Sequence, residues 1–263
     1  MSPVADLTVM TFNLRFDNPD DGPHAWAFRE QRVIETVLAA RPDLLATQEG
    51  MPAQLEALRH GLKGYKASLP GRPKDPHPRV QCPTIFFRHE RLSLGTAGEF
   101  WLSETPHAYL SKSWGSAFPR MFTYARFQHR ATGRRLWFGN THLDHFSSRA
   151  RLEGARLIRA WARRKRLPVI LAGDFNDQPD SDVHGVFTGG PPALADSWRR
   201  APGTRDDGWP TVHHFTGIPA GERIDWILVS RGIAVEEARI IPCEPGKVPP
   251  SDHFPYWIRV RIG

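Results

Sequence analysis

The stretch Pro168-Val169-Ile170-Leu171-Ala172-Gly173-Asp174-Phe175-Asn176 decides how this chain is read. Val169, Ile170 and Leu171 form a short apolar run closed by punctuation, the pattern of a strand covered on both faces. Gly173 lets the backbone turn sharply or lets another group approach it closely. Asp174 and Asn176 then fall at the strand end. The carboxylate can accept a proton or bind a metal, and the amide can both donate and accept hydrogen bonds.

Gly-Asp is common in turns, so one such end carries little weight. The pattern recurs along the chain. Thr8-Val9-Met10-Thr11-Phe12 runs into Asn13, and Leu44-Leu45-Ala46-Thr47 into Gln48-Glu49. Leu136-Trp137-Phe138-Gly139 runs into Asn140-Thr141-His142. Arg223-Ile224-Asp225 opens the apolar run Trp226-Ile227-Leu228-Val229, and Ser251-Asp252-His253 precedes Tyr256-Trp257-Ile258-Arg259-Val260. Apolar runs with polar, chemically competent residues at one end point to one site at one edge of a sheet system.

Between these runs the coarse reading alternates strands and helices. Trp26 to Ala39 has Val33, Ile34, Val37 and Leu38 on one helical face, closed by Pro42. Pro52 to Leu62 is a second helix with proline suited to its first turn. Arg149 to Arg166 is a third, with Leu152, Ala155, Leu157, Ile158 and Trp161 as apolar positions. Thr84 to Phe87, Gly95 to Leu102 and Thr123 to Gln128 read as strands, and Ala131-Thr132-Gly133 as a hairpin turn. Strands outnumber helices, and hairpins are interleaved with strand-helix units. The expected fold class is therefore α/β (α+β), with two mixed β-sheets packed face to face and helices outside.

The 263 residues contain no linker, solenoid repeat or low-complexity tract and are expected to form one domain over 1–263. The Pro/Gly-rich segment from Pro70 to Pro83 reads as a long surface loop. Apolar residues make up 40% of the chain, enough for a large core. Mean hydropathy is −0.45, and no run approaches the roughly 20 apolar residues a membrane span needs. Met1 to Asp6 has no basic segment followed by an apolar one, so a secretory signal is not expected. Cys82 and Cys243 are too few for a disulfide framework and read as reduced thiols of a cytoplasmic protein, expected to be a monomer. The net charge of +7 favours anionic partners without choosing between nucleic acid, small phosphate esters and acidic surfaces.

Taken together, the polar strand ends are Asn13, Glu49, His142, Asp174, Asn176, Asp225, Asp252 and His253. Glu49, Asp252 and Asn13 offer hard oxygen ligands suited to Mg²⁺ or Mn²⁺, which keep several waters and bind phosphate oxygens. Phosphodiesters resist water because negative charge shields phosphorus. A metal offsets that charge, a carboxylate positions the water, and a cationic donor stabilises the transition state. Asp225 beside His253 would keep the imidazole protonated.

On these motifs the chain resembles the endonuclease/exonuclease/phosphatase superfamily. The likeness runs from Thr11-Phe12-Asn13 through Gln48-Glu49, Asn140-Thr141-His142-Leu143, Gly173-Asp174-Phe175-Asn176 and Arg223-Ile224-Asp225-Trp226 to Ser251-Asp252-His253, in the family's order. Each motif alone is weak, and the ordered set is specific. The resemblance implies a four-layer sandwich with the site at one end and a divalent-metal-dependent phosphoester hydrolase. It implies Glu49 as main metal ligand with Asn13 nearby and Asp252 assisting. Asp174 would orient and deprotonate the water, and Asn176 would hold the nucleophile or a phosphate oxygen. His253, backed by Asp225, would donate to a non-bridging oxygen, and His142 would contact the phosphate or leaving group. The expected activity is that of a nuclease or phosphodiesterase. The alternative is a phosphatase acting on a nucleotide, inositol phosphate or lipid head group. The Asn13-Leu14-Arg15-Phe16-Asp17-Asn18-Pro19 start, with Ala25-Trp26 beyond, looks like a bacterial branch of poorly defined substrate.

Other readings stand beside these. A fold kept only to bind phosphate or nucleic acid would be expected to have lost Glu49, Asp174, Asn176 or His253, and all are present. His142-Leu143-Asp144-His145 partly matches a zinc-hydrolase spacing, but Asn140 stands where its first histidine would be. Arg149, Arg156, Arg159 and Arg163 read as a solvated helix face. Arg120, after a loop rich in Ser and Trp, is the candidate clamp for a substrate phosphate. His24 and His214 lie in loops that could border the site.

Overall fold

Period-two alternation places the core. The computed structural model describes residues 5–69, 81–204 and 209–263, so most of the Pro70–Pro83 segment lies outside the described residues. Strands β1 (Ala5–Asn13), β2 (Leu44–Gln48), β3 (Tyr65–Ala67), β4 (Thr84–Arg88), β11 (Ile233–Ile240) and β12 (Tyr256–Ile262) form one sheet, ordered β11-β12-β1-β2-β4-β3. Strands β5 (Leu92–Trp101), β6 (Met121–His129), β7 (Arg135–His142), β8 (Val169–Asp174), β9 (Ala195–Asp196) and β10 (Asp225–Val229) form the other, ordered β5-β6-β7-β8-β10-β9. Each sheet is mixed: β1 runs parallel to β2 and β7 parallel to β8, and the other pairs are antiparallel.

Successive side chains on a strand point to opposite faces. Leu7 and Val9 of β1, Leu44 and Ala46 of β2, Leu136 and Phe138 of β7, Ile170 and Ala172 of β8, and Ile227 and Val229 of β10 share one cluster between the sheets. The alternate residues face outward. Met10, Phe12 and Leu45 meet α1 (Trp26–Ala40) and α2 (Pro52–Gly61) through Val33, Val37, Leu55 and Leu58. Leu171, Trp226 and Leu228 meet α3 (Ser148–Arg163) and α4 (Asp182–Thr188) through Ala155, Ile158, Trp161, Val183 and Phe187. A short helix α5 (Ser197–Arg200) follows β9. The result is the four-layer helix–sheet–sheet–helix sandwich.

Extending the same alternation by one step explains where the site lies. Asn13 continues the inward row of Leu7 and Val9, Asp174 that of Ile170 and Ala172, and His142 that of Leu136 and Phe138. Asp225 begins the row of Ile227 and Val229. The apolar interior thus becomes polar at one end of the inter-sheet space. Register brings these ends together, with Asp174 opposite both His142 and Asp225.

Two details depart from the sequence reading. Leu38 is 38% exposed and lies off the buried stripe of α1. Arg159 is buried, and its guanidinium donates to the carbonyls of Val186, Gly190 and Pro192, so it ties α3 to α4 and to the chain after it rather than facing solvent. Cys82 and Cys243 are both free thiols.

Close approach explains Gly173. A Cβ built there lies 2.2 Å from the Thr141 carbonyl oxygen, a backbone atom of the parallel neighbour β7 that cannot swing aside. Gly173→Ala is expected to cost about 1–3 kcal/mol or more as an overpacking change, read as a melting temperature lower by several degrees. A variant melting like the wild type would show that β7 and β8 can separate freely at this point.

Candidate active site

The site is built across the sheets by one amide. Asn13, fully buried, donates through Nδ2 to Glu49 Oε1 at 3.1 Å and to Asp174 Oδ2 at 2.9 Å. Its Oδ1 accepts from the Arg15 backbone N–H at 2.9 Å. Glu49 belongs to the turn after β2 and Asp174 ends β8, so one side chain spans the gap between the two sheets. The other Glu49 oxygen accepts from the Phe16 N–H at 2.9 Å. Left-handed backbone is held at Arg15 (φ 53°), Glu49 (φ 61°) and Asn176 (φ 50°). Non-glycine residues adopt that region rarely, and such strain persists where surrounding contacts over-determine it.

Asp174 is enclosed by donors. Its Oδ1 accepts from Asn176 N–H at 2.9 Å, and its Oδ2 lies 3.4 Å from His142 Nε2. Burial, then the nearby Asp225 carboxylate, push its pKa up to about 7, against the opposing pull of His253 and the Asn13 amide. Asn176 points its own amide back to the Leu143 carbonyl at 3.0 Å. His253 Nδ1 lies 2.8 Å from Asp225 Oδ2. Burial opposes a charge on this imidazole, but Asp225, Asp174 and Asp252 outweigh it and hold its pKa well above 6.5. The Ser251-Asp252-His253 segment is docked on β1 by Ser251 Oγ, which donates to the Asn13 carbonyl at 2.6 Å.

Arg120 sits behind two histidines. Nη1 donates to His142 Nδ1 at 2.9 Å and Nη2 to His145 Nδ1 at 3.1 Å. A guanidinium has no acceptor, so both Nδ1 atoms must accept and any ring proton on the neutral histidines sits on Nε2. Burial, then the Arg120 charge, depress the His142 pKa well below 6.5 and keep it neutral. With a cation lodged between the two Nδ1 atoms, the His142-Leu143-Asp144-His145 run is not a zinc cradle through them. Asp144 is turned away, with Oδ2 accepting from Ser116 Oγ and Ala117 N–H and Oδ1 from Phe146 and Ser147 N–H.

These groups surround a cleft of about 680 Å³. Of the residues singled out from sequence, Glu49, Arg120, His142, Asp174, Asn176, Asp252 and His253 line it. Asn13 and Asp225 lie immediately behind, bonded to residues that do. Two carboxylates and an imidazole form a buried cluster, in which Asp174, Asp225 and His253 place ligand atoms within 4.8 Å of one another. The 2.8 Å Asp225–His253 contact joins these two through Asp225 Oδ2, while the buried Asp225 Oδ1 has no hydrogen-bond partner among the described residues. Beneath the cleft, Gln48 Nε2 donates to Asn140 Oδ1 at 2.8 Å, and Asn140 Nδ2 donates to the Thr47 carbonyl at 2.9 Å. This polar layer joins the sheets between core and site.

Sequence reasoning passed over several lining residues, Arg15, Phe16, Gln81 and Phe118 among them, and met His145 only in the partial zinc-hydrolase spacing. Phe118 stacks on His145 at 5.8 Å between centroids. His214 lines the cleft, while His24 stacks on Phe215 at 4.5 Å. Arg15 and Phe16 directly follow the Asn13 motif, and their position beside it was the available signal. Phe118 and Gln81 lie in loops without periodicity and gave none.

Comparison with known proteins bears on this arrangement. A search of curated protein sequences returned no match. Among solved structures, an endonuclease/exonuclease/phosphatase from Bacteroides vulgatus is 28% identical, covering 98% of this chain and 100% of its own at a TM-score of 0.89. A mannosyl-6-phosphatase from Bacteroides thetaiotaomicron is 28% identical over 97% of this chain and 99% of its own, with a TM-score of 0.84. The D. rerio protein TDP2, solved with a single-strand DNA product, is 18% identical over 97% of this chain and 99% of its own at a TM-score of 0.76, a likeness of fold alone. The family model described as the Endonuclease/Exonuclease/phosphatase family matches residues 10–253, and the chain belongs to that family.

Proposed function

We propose that this protein is a divalent-metal-dependent phosphoester hydrolase that removes phosphate from a small hydroxylated molecule by in-line attack of water. The observation that carries the reading is the convergence of Glu49, Asp174, Asn176, His142, Asp252 and His253 on one cleft. The likeness over nearly the whole chain to a mannosyl-6-phosphatase supports a monoester substrate.

The residues present suit Mg²⁺ or Mn²⁺. Glu49, Asp174 and Asp252 share one cleft, and burial, then the neighbouring Asp225 carboxylate, push Asp174 up to about 7. Each Glu49 oxygen takes one hydrogen bond, from Asn13 and from Phe16, and keeps a lone pair for a cation. Glu49 and Asp252 would hold the ion, and the Asn13 amide would orient Glu49. When bound, such an ion supplies charge neutralisation at the phosphate and lowers the pKa of water.

The chain's own groups do the rest. Asp174 accepts the proton of the attacking water, held in direction by Asn13 and by the Asn176 N–H. Asn176 contributes its amide to the same water or a phosphate oxygen. His253, kept charged by Asp225, donates to a non-bridging oxygen. His142, neutral with its proton on Nε2, donates toward the phosphate or the leaving oxygen. Arg120 adds positive charge from behind His142 and His145, and the phosphate faces that charge.

A substrate panel with Mg²⁺ and Mn²⁺ tests the reading: hexose phosphates, nucleotides, phosphoinositides, bis-p-nitrophenyl phosphate, RNA, and single- and double-stranded DNA. Turnover of monoesters in preference to diesters is expected. Cleavage of nucleic acid without monoester turnover would replace this reading by the nuclease one, which the net charge of +7 would then serve.

On the preferred substrate, Asp174→Asn keeps shape and removes basicity. Its kcat is expected to fall by about 10² or more, the usual size of a general-base effect, with a melting curve as control. Near wild-type turnover in a folded variant would remove Asp174 from the role of base. Glu49→Ala is expected to weaken metal binding by an order of magnitude or more, since such sites have few protein ligands. An unchanged metal titration would move the ion elsewhere in the cleft.

A further inference from the structure

The Arg29 guanidinium is fully buried in α1 and is spent on main-chain carbonyls. Nε donates to the His24 oxygen at 2.8 Å. Nη1 donates to Leu14 and, at 3.1 Å, to Pro250. Nη2 donates to Arg15 at 2.6 Å and to Phe16 at 3.3 Å. Trp26 and Phe215 lie against its faces, with ring centroids 5.2 and 5.7 Å from Cζ. Burial lowers its pKa only to about 10, so it stays charged near neutrality.

The carbonyls it gathers belong to segments that carry the cleft. Leu14, Arg15 and Phe16 follow Asn13. The Arg15 N–H fixes the Asn13 amide, and the Phe16 N–H fixes Glu49. Pro250 precedes Ser251-Asp252-His253. One planar fork therefore joins the chain that orients Glu49 to the chain that carries Asp252, 221 positions apart between Arg29 and Pro250. A guanidinium can reach these carbonyls at once because its donors are fixed in a plane, whereas an ammonium offers a single point. Asp17 and Gln54 brace the same turn, with Asp17 N–H donating to Gln54 Oε1 and Gln54 Nε2 to the Arg15 carbonyl.

We infer that Arg29 is a positioning residue for the divalent cation. It holds the residue 14–16 turn and the Pro250–Asp252 segment in one arrangement, so that Glu49 and Asp252 are ordered before the ion arrives. This rests on the proposed metal role of those two carboxylates. Without Arg29 the ordering cost falls on ion binding, and affinity drops by the 10- to 100-fold typical of groups that support a metal ligand from behind. A purely stabilising Arg29 would lower the melting temperature and leave ion affinity alone.

The experiment measures Mn²⁺ affinity of the full chain by calorimetry and by the paramagnetic signal of free Mn²⁺, on wild type, Arg29→Lys and Arg29→Ala. Hydrogen exchange and melting curves are recorded on the same samples, and the titrations are repeated with millimolar guanidinium and, as control, methylammonium. The expected result is a Kd raised about tenfold or more in both variants. Faster exchange is expected at residues 14–17 and 250–252, with affinity returning toward wild type in guanidinium but not in methylammonium. A folded variant with wild-type Kd overturns the inference, as does lost affinity with exchange raised evenly over the chain. If Arg29→Ala does not fold, Arg29→Lys decides alone. Failure of the wild type to bind Mn²⁺ instead refutes the proposed function, so the two failures are distinguishable.

Discussion

Everything at the open end of this sandwich depends on the Asn13 amide. It bonds at once to a carboxylate from each half, Glu49 beyond β2 and Asp174 at the end of β8. Two carboxylates brought together in a buried place repel, and each costs desolvation. An amide NH₂ is suited to reconcile them, since it supplies two donors and no charge. An arginine there would neutralise the pair, whereas the amide leaves both charges in place. The Gln48–Asn140 bond below it extends the same solution one layer deeper, where an apolar core gives way to a charged cleft.

The sequence made much of this legible because both signals obey the period of a strand. Alternating apolar residues name the inward face, and the next inward position along Leu7 and Val9, or along Ile170 and Ala172, is polar. The face of Asn13, His142, Asp174 and Asp225 follows from counting by twos. The order of the two sheets does not follow, because strand neighbours depend on connections whose path has no periodicity. Short strands such as β3 and β9 and the helix α5 were not read for the same reason. Within the site, Phe118 and Gln81 come from loops placed only by tertiary contacts. The left-handed turn at Glu49 is invisible to propensity, since glutamate has no preference for it. Carbonyl partners carry no residue identity, so a guanidinium that binds only carbonyls, as Arg29 and Arg159 do, leaves nothing in the sequence to mark it.

That last point changes how the basic composition is understood. A net charge of +7 invites the picture of a surface made for polyanions. Several arginines are not on the surface. Arg29, Arg120, Arg159 and Arg223 are buried, and Arg223 donates to Asp196 at 2.6 Å, which also meets His184 at 3.2 Å. Their charge is used internally, to pin loops, orient histidines and offset buried carboxylates. The sequence count of basic residues therefore overstates what is offered to a nucleic-acid backbone, whose binding scales with the cations that reach its phosphates.

The same reasoning bears on where discrimination between substrates arises. The groups that would act on phosphorus come from strand ends and adjacent turns locked by the sheets, which any phosphate ester would meet alike. Specificity belongs to what surrounds them, and loops over a rigid scaffold are the usual place for it. Here the loop between β5 and β6 is tied to the site through Asp144, whose oxygens hold Ser116 and Ala117. That anchoring fixes Phe118, half-exposed and stacked on His145, at the cleft wall. The Phe118 ring lies 5.7 Å from Arg120 Cζ, in a wall whose position is set by the buried carboxylate of Asp144 rather than by the strand-end groups. The strand-end groups and the aromatic wall are thus held by different parts of the molecule, and the Asp144 anchor is where the two meet.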